Sequence, residues 1–275
     1  MNSESTPHTE AAGIISAKLV VTKAVSDQLL PELRCRVFTV TGIETVSVLQ
    51  SLRDQIASLP RGANWEDVKA GLVNEMSPYL GEEGARQRAT LLLRTHAFQA
   101  FQTANWRLAQ EDEDTTHLQY LATEDKHVRH THLALNGVIL PKDDPFWDEH
   151  YPPWEWNCRC QVRSMNPDMV ADEKEADKKR KPEQNLVFEG AMLKKLQEGE
   201  LIRFKPGTEI STVYHVFPPQ GKTAFRFHPK NLRISLDVLQ ARYEPQVFAQ
   251  FQAFAKATEI QAGLTVWAWA AGTSA

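Results

Sequence analysis

The run at residues 151–160, YPPWEWNCRC, constrains the fold of this chain more than any other stretch. It holds Cys158 and Cys160, two of the three cysteines in the sequence. In an extended strand, residues two apart point to the same face, so both sulfurs lie on one side. A disulfide between them would close a very short and strained ring. The pair is better suited to share an external partner, either a metal ion or a histidine.

Composition limits the class of protein. The chain has 275 residues, 42% of them hydrophobic and 24% charged, which favours a soluble protein with two or three packed units. A net charge of -4 gives no general attraction to nucleic acid or to anionic membranes, so such contacts need a local basic patch. The few cysteines favour synthesis in a reducing cytoplasm.

The N-terminus lacks a signal peptide pattern, and the apolar stretch 262–271 is about half the length of a membrane span, so we expect no membrane insertion.

Hydrophobic periodicity predicts an all-helical N-terminal domain. An amphipathic stripe with spacings of three and four covers residues 46–59. Asn64 is well placed as the N-cap of a second helix, which Pro78 and Gly81 should end. A third and longer helix is predicted over residues 82–110, with a broad apolar face.

A small α+β module is predicted next. A strand at 117–121 is followed by a helix that starts after Thr123 and ends at Gly137, and then by a strand at 138–140. The strand at 157–163, which carries the C-x-C pair, closes the module. The module has about 50 residues, which is near the lower limit of domain size. A core this small is stabilised by an added cross-link, called a staple below.

The rest of the chain is predicted to form a charged linker and a segment with both strands and a helix. The charge run at 171–182 is interpreted as a solvated helix or linker; the alternative is that its basic residues Lys178, Lys179, Arg180 and Lys181 contact nucleic-acid phosphates. Short strands at 201–204, 212–217 and 224–227 and a helix at 245–257 follow.

The predicted fold class is therefore α+β. The predicted parts are a disordered tail at 1–12, an all-helical domain at 13–116, the α+β module with its C-x-C closing strand at 117–168, a charged linker at 169–184, and a mixed α+β segment at 185–275.

One group of side chains in the module could have a chemical role. On the predicted helix, Asp125, Arg129 and His132 share a face that can meet the strand of Cys158 and Cys160, and Asp125 and Arg129 are spaced to pair. An imidazole and two thiolates are ligands that zinc prefers, and the Asp125 carboxylate or a water could complete a tetrahedral set. The alternative is that the cysteines are small buried apolar residues and that His132 donates to a carbonyl.

Other residues near the cysteines are expected to have structural roles. Arg159 lies between the cysteines, so it faces the opposite side of the strand, where Asp143 or Glu155 could form an ordering salt bridge with it. Trp147, Trp154 and Trp156 cluster around the Pro-Pro turn and are interpreted as core of a small module rather than as a binding platform.

Several residues of this region occur in a distinctive order and spacing. They are Thr123, Asp125, Arg129, His132 and Gly137, then Pro145-Phe146-Trp147, Tyr151-Pro152-Pro153 and Asn157-Cys158-Arg159-Cys160. This pattern resembles the phage Mu F-type head morphogenesis family, the minor capsid proteins of tailed phages, over about residues 30–165. Some members of the family carry further cysteines ahead of the histidine, and the stretch from Asp125 to Arg129 has none.

The resemblance implies a non-enzymatic virion protein. It is expected in a few copies inside the head near the portal vertex, in contact with portal and major capsid proteins, after synthesis in the host cytoplasm. A contact with packaged DNA is left open. In this interpretation one cluster is a structural staple, with zinc as its candidate cofactor. Its members are Asp125, Arg129, His132, Asn157, Cys158, Arg159 and Cys160.

The alternative function is a phage-associated enzyme. It would be either a metal-assisted hydrolase at the cluster or a toxin-like ribonuclease in the C-terminal segment, because members of the family can be fused to toxin domains. For the ribonuclease, His215, Lys222, Arg226 and His228 offer an acid, a base and phosphate-binding cations.

Overall fold

The computed structural model describes residues 7–28, 34, 37–155, 157–216, 245 and 249. The chain divides into two compact units, one of residues 1–104 with 224–275 and one of residues 105–223. Outside the described residues lie Cys35, Trp156, the strand expected at 224–227 and nearly all of the helix expected at 245–257. None of the helices in the described part of the chain combines the length and the apolar character that a bilayer crossing requires.

The first unit is mainly helical and has one short β ladder. Its elements are α1 (Pro7–Ser16), β1 (Leu19–Val20), α2 (Lys23–Gln28), β2 (Val37–Phe38), α3 (Val46–Ala57), a 3-10 turn (Leu59–Arg61) and α4 (Trp65–Glu111), which continues past residue 104. The strands β1 and β2 pair in parallel, with Leu19 opposite Val37. This ladder was not predicted, because strands of two residues are too short to show alternation.

The tail expected to be disordered up to residue 12 is partly helical. Helix α1 begins at Pro7. The reason is burial, since Ala11, Ala12 and Ile15 are all at most 1% exposed and pack into the core of the first unit. Burial of an apolar face stabilises a short helix that its local sequence would not hold.

The predicted helix boundaries in this unit are confirmed. The Asn64 side-chain oxygen accepts from the backbone N–H groups of Glu66 and Asp67, at 2.9 and 3.3 Å, which caps α4. Gly81 interrupts α4 with φ 69° and ψ 163°, a conformation that glycine adopts without a steric penalty. Two helices therefore follow one another across a kink, close to the predicted end.

The amphipathic stripe forms the centre of the core of the first unit. Leu49, Leu52 and Ile56 of α3 are 0% exposed, as are Leu72 and Met76 of α4. Their spacing of three and four puts them on one face of each helix. The periodicity of the sequence thus predicted which side chains are buried here.

The second unit is built on a small antiparallel sheet. Its elements are β3 (His117–Leu121), α5 (His130–Ala134), β4 (Ile139–Pro141), α6 (Phe146–His150), β5 (Gln161–Met165), α7 (Pro167–Asp177), a 3-10 turn (Pro182–Gln184), α8 (Gly190–Gln197), β6 (Glu200–Phe204) and β7 (Ser211–His215). The order in the sheet is β4-β3-β5, and β6 and β7 form a separate hairpin. In the register, Leu118 of β3 lies opposite Leu140 on one side and Ser164 on the other.

The helix expected after Thr123 is much shorter than predicted. Only His130–Ala134 is helical. The Asp125 side chain accepts from the backbone N–H of His127 at 2.9 Å, which gives the chain a local turn as an alternative to the helix. Asp125 and Arg129 therefore do not share a helical face.

The closing strand also starts later than expected. Asn157 has φ 59°, in the left-handed region, and β5 begins only at Gln161. Cys158 and Cys160 thus precede the strand instead of lying within it. The described C-terminal strands are close to the prediction, since β6 and β7 occupy residues 200–204 and 211–215.

The carboxylate of Asp177 at the end of α7 holds the chain that follows. It accepts from the backbone N–H of Leu186 at 3.0 Å and of Val187 at 2.9 Å, and from Arg180 at 2.7 Å, and its side chain is 10% exposed. Asp177→Ala leaves these donors without their acceptor, so we expect a loss of about 1–3 kcal/mol in the free energy of unfolding. Urea denaturation followed by circular dichroism measures this loss.

The matched control is Glu175→Ala, on the same helix. Glu175 pairs with Lys178, and both side chains are more than 60% exposed. Exposed pairs contribute little, so this variant should stay within about 0.5 kcal/mol of the wild type. Equal stabilities of the two variants would contradict the role of Asp177.

Candidate metal centre

Three side chains from two short segments meet in the second unit. His132 lies in α5, and Cys158 and Cys160 lie just before β5; the three residues are 1%, 6% and 2% exposed. His132 Nδ1 is 3.6 Å from Cys158 Sγ and 3.5 Å from Cys160 Sγ. In a tetrahedral zinc site, typical Zn–N and Zn–S bond lengths separate nitrogen and sulfur ligands by about 3.6 Å. The two distances therefore match those of zinc ligands.

The three ligand atoms form a compact group. All lie within 4.8 Å of one another, and in the described part of the chain no other group of three or more His, Cys, Asp or Glu side chains comes this close. Two soft sulfurs with one imidazole nitrogen form a donor set that suits zinc better than magnesium or calcium. This arrangement could hold a metal ion.

Glu155 orients the imidazole of His132. Its Oε2 lies 3.3 Å from His132 Nε2 and 2.8 Å from Arg129 Nε. A carboxylate oxygen accepts, so in the neutral ring this contact favours a proton on Nε2 and leaves the lone pair of Nδ1 facing the two sulfurs. Trp154 stacks on the ring, with centroids 4.1 Å apart and planes 15° apart. These contacts therefore favour the tautomer that a metal ligand needs.

A second set of hydrogen bonds surrounds the sulfurs. Trp154 Nε1 donates to the Tyr120 hydroxyl at 2.9 Å, and that hydroxyl is hydrogen-bonded to Cys160. A hydrogen bond from the Cys158 thiol lowers the pKa of Cys160, and the Tyr120 hydroxyl adds to the effect. The same bond, together with burial, raises the pKa of Cys158. One sulfur is thus stabilised as the thiolate, which is the form that binds metals.

Asp125 and Arg159 form a separate ion pair beside the cluster. Both Asp125 oxygens accept from Arg159, at 2.6 and 2.8 Å, and this guanidinium holds the pKa of Asp125 well below its usual range. Asp125 is not in the group of ligand atoms. Arg159 binds Asp125 rather than the expected Asp143 or Glu155, and the pairing expected between Asp125 and Arg129 does not occur.

The remaining predicted residue of the cluster, Asn157, has a backbone role. Its left-handed conformation turns the chain, and the N–H of Cys158 donates to the backbone oxygen of Glu155 at 3.1 Å. This turn brings both cysteines towards His132 although they precede the strand.

Most of the basic patch that was considered for nucleic acid is neutralised within the chain. Lys178 pairs with Glu175, Lys181 pairs with Glu209, and Arg180 pairs with Glu173 and Asp177. Lys179 is the remaining member of the patch. This pairing favours a solvated surface over a phosphate-binding one.

Of the four residues considered for a ribonuclease, only one can be placed. His215 ends β7 and is exposed. Lys222, Arg226 and His228 lie outside the described residues.

Sequence reasoning did not assign Glu155 and Tyr120 to the cluster. A weak signal existed for Glu155, which precedes Cys158 by three residues just as Arg129 precedes His132 by three. Each ligand segment therefore carries half of the ion pair that joins them. Tyr120 gave no signal, since an aromatic residue in a strand is more often simply core.

Comparison with known proteins identifies the class of this region. Residues 50–163 match the family model described as Phage Mu protein F like protein, and the match includes all three candidate ligands. Over this region the chain is similar to the Mu F-like family, so the resemblance recognised from the sequence is confirmed there.

Two curated proteins are similar in sequence to this chain. The Mu-like prophage FluMu F protein of Haemophilus influenzae is 37% identical over 84 residues, which are 30% of this chain and 20% of that protein. The Putative capsid assembly protein F of Escherichia phage Mu is 26% identical over 156 residues, covering 50% of this chain and 35% of the relative. The match thus spans about a third or less of each relative. No solved structure matches the chain.

Proposed function

We propose that this chain is a minor capsid protein of a tailed phage that acts in head assembly by binding other head components, without catalysis. The support is the Mu F-like match over 50–163, together with a relative that is named as a putative capsid assembly protein. Portal and major capsid proteins are the proposed partners, and the capsid interior near the portal vertex is the proposed location. Function is inferred here from family and site, because fold alone does not define it.

We also propose that His132, Cys158 and Cys160 bind one zinc ion that staples the module. The observation that carries this proposal is the pair of distances, 3.5 and 3.6 Å, from the imidazole nitrogen to the two sulfurs. Bound zinc would supply a link between α5 and the segment before β5, and a water molecule would complete four ligands. A link of this kind adds the free energy of metal binding to the free energy of folding.

An enzyme remains the second candidate, because the cluster also resembles a thiol–imidazole–carboxylate relay. The burial of His132, Cys158 and Cys160 argues against this use. Cavities of about 370 and 230 Å³ occur in the second unit, and none of the three residues lines either one. Neither of these two cavities therefore exposes the sulfurs to a substrate.

Deletion of the gene from its phage genome tests the assembly role. We expect loss of infectious particles and of normal heads, with recovery when the full chain is supplied in trans. Mass spectrometry of purified heads should then detect the chain, and pull-down with the full chain should retain portal or major capsid protein. Normal heads at a normal yield without the chain would contradict the proposal.

Contact with packaged DNA is a weaker part of the proposal, and Lys178, Lys179, Arg180 and Lys181 are its candidates. DNA affinity would be measured across a salt series for the wild type and for a variant with all four residues neutralised. Because each phosphate contact adds to the salt dependence, the variant should show a shallower slope. An unchanged slope would remove these residues from the proposal.

A further inference from the structure

We propose that Glu155, held by Arg129, is the positioning residue of the metal site: it fixes the tautomer and the in-plane orientation of His132 and thereby sets the metal affinity. This inference rests on the zinc site proposed above and deepens it. Glu155 itself is not a ligand, because its carboxylate faces Nε2, on the opposite side of the ring from the nitrogen that faces the sulfurs.

Glu155 favours one position of the proton on the His132 imidazole. With Glu155 at 3.3 Å from Nε2, the tautomer protonated at Nε2 gains a charge-assisted hydrogen bond. The other neutral tautomer would place the Nε2 lone pair against a carboxylate and a proton between Nδ1 and the sulfurs. Glu155 therefore disfavours the one neutral form of His132 that cannot bind a metal through Nδ1.

Glu155 also restricts the orientation of the His132 ring. Stacking on Trp154 fixes the plane of the His132 ring but leaves the ring free to slide and rotate within that plane. The hydrogen bond to Glu155 restricts this remaining movement. Arg129 in turn fixes the carboxylate, with its Nε 2.8 Å from the same oxygen that faces His132. Glu155 is only 17% exposed, so water competes weakly for it.

The ion pair between Arg129 and Glu155 connects the segment of His132 with the segment of the two cysteines. The backbone oxygen of Arg129 accepts from Leu133 in the first turn of α5, next to His132. The backbone oxygen of Glu155 accepts from the N–H of Cys158. The ion pair and the metal therefore join the same two segments, one on each side of the imidazole. Formation of either link brings the groups of the other into place.

Zinc affinity of the full chain tests this role, measured by competition with a chromophoric chelator. Removal of an outer carboxylate from a metal-bound histidine weakens binding by about 10–100-fold, which is the loss expected for Glu155→Ala. Glu155→Gln should lose less, since the amide oxygen can still accept from Nε2. The matched control is Glu209→Ala, which breaks an exposed ion pair with Lys181 away from the cluster and should leave the affinity unchanged.

Cobalt(II) substitution separates positioning from ligation. Saturated Glu155→Ala should keep the sulfur-to-cobalt charge-transfer absorption of two thiolates, while Cys158→Ser should lose about half of it. Arg129→Ala should fall between the wild type and Glu155→Ala, and it provides a second variant if Glu155→Ala folds poorly.

The outcomes distinguish the two proposals. Equal zinc affinity of the wild type and of Glu155→Ala, with both folded, would overturn the role of Glu155 and leave the zinc site intact. A changed number of thiolate ligands in Glu155→Ala would also overturn it. Failure of the wild-type chain to bind zinc at all would overturn both the site and this inference, while the proposed assembly role is tested separately by the gene deletion.

Discussion

Replacement of Cys158 and Cys160 together by serine is expected to lower the free energy of unfolding of the second unit by about 4 kcal/mol when zinc is present at a thousandfold over its dissociation constant. The reason is that the metal binds the folded chain, where His132 and both sulfurs converge, and not the unfolded one. Thermal and urea unfolding of the full chain, with and without added zinc, measures this difference. The first unit provides an internal reference, because it contains none of the ligands.

Chelation of the metal provides the control for this experiment. Two buried hydroxyls in place of thiols cost some stability even without zinc, because polar groups leave water. That cost is read from the two proteins in excess chelator, and the metal-dependent part is the remainder. We expect the chelator to destabilise the wild type and to leave the double variant unchanged. Identical unfolding of both proteins, with no response to chelator, would show that the cluster is not a zinc staple.

The elements that could be predicted are those whose sequence pattern and burial agree. The stripe at 46–59 repeats with helical spacing over several turns, and its central residues Leu49, Leu52 and Ile56 are buried. Strand 117–121 has the bounds that its pattern predicted, since it lies at the centre of the sheet with a partner on each side. Local and tertiary preferences favour the same structure in both regions.

The prediction after Thr123 was wrong because a local side-chain contact competes with the helix. Asp125 accepts from His127 in a turn, and a long-range ion pair with Arg159 holds it there. Helical spacing predicted a pair between Asp125 and Arg129. The structure pairs each of them with a residue more than twenty positions away, and sequence spacing contains no information on such contacts.

The meeting of His132 with the two cysteines was predicted, although part of the reasoning was wrong. Alternation along a strand was expected to align the sulfurs, whereas a turn at Asn157 places them. The chemistry of the residues was more informative than the secondary structure. Soft ligands that are few in number and close in sequence are recognisable whether the backbone between them is extended or turned.

Replacement of Trp147 by alanine is expected to destabilise the second unit by about 3–5 kcal/mol, the usual cost of truncating a buried aromatic residue. Trp147 is 0% exposed and packs edge-to-face against Phe146, with ring centroids 5.3 Å apart. Its Nε1 also donates to the backbone oxygen of Pro141, the last residue of β4. Loss of the side chain leaves a cavity and removes this hydrogen bond, while the same carbonyl still accepts from the backbone N–H of Asp144. Urea unfolding followed by far-UV circular dichroism measures the effect.

The effect of Trp147→Ala should not depend on zinc, in contrast to that of the cysteine variants. The hydrogen bond and the ring contacts of Trp147 are with Pro141, Phe146 and Tyr151 and not with a candidate ligand, so its loss should be similar with zinc and with chelator. Tyr79→Ala, at a side chain that is 45% exposed, is the control and should change stability by about 0.5 kcal/mol or less. A loss below about 1 kcal/mol for Trp147→Ala would mean that the packing of Trp147 against Phe146 and Tyr151 does not hold the module. The metal staple would then be its main support.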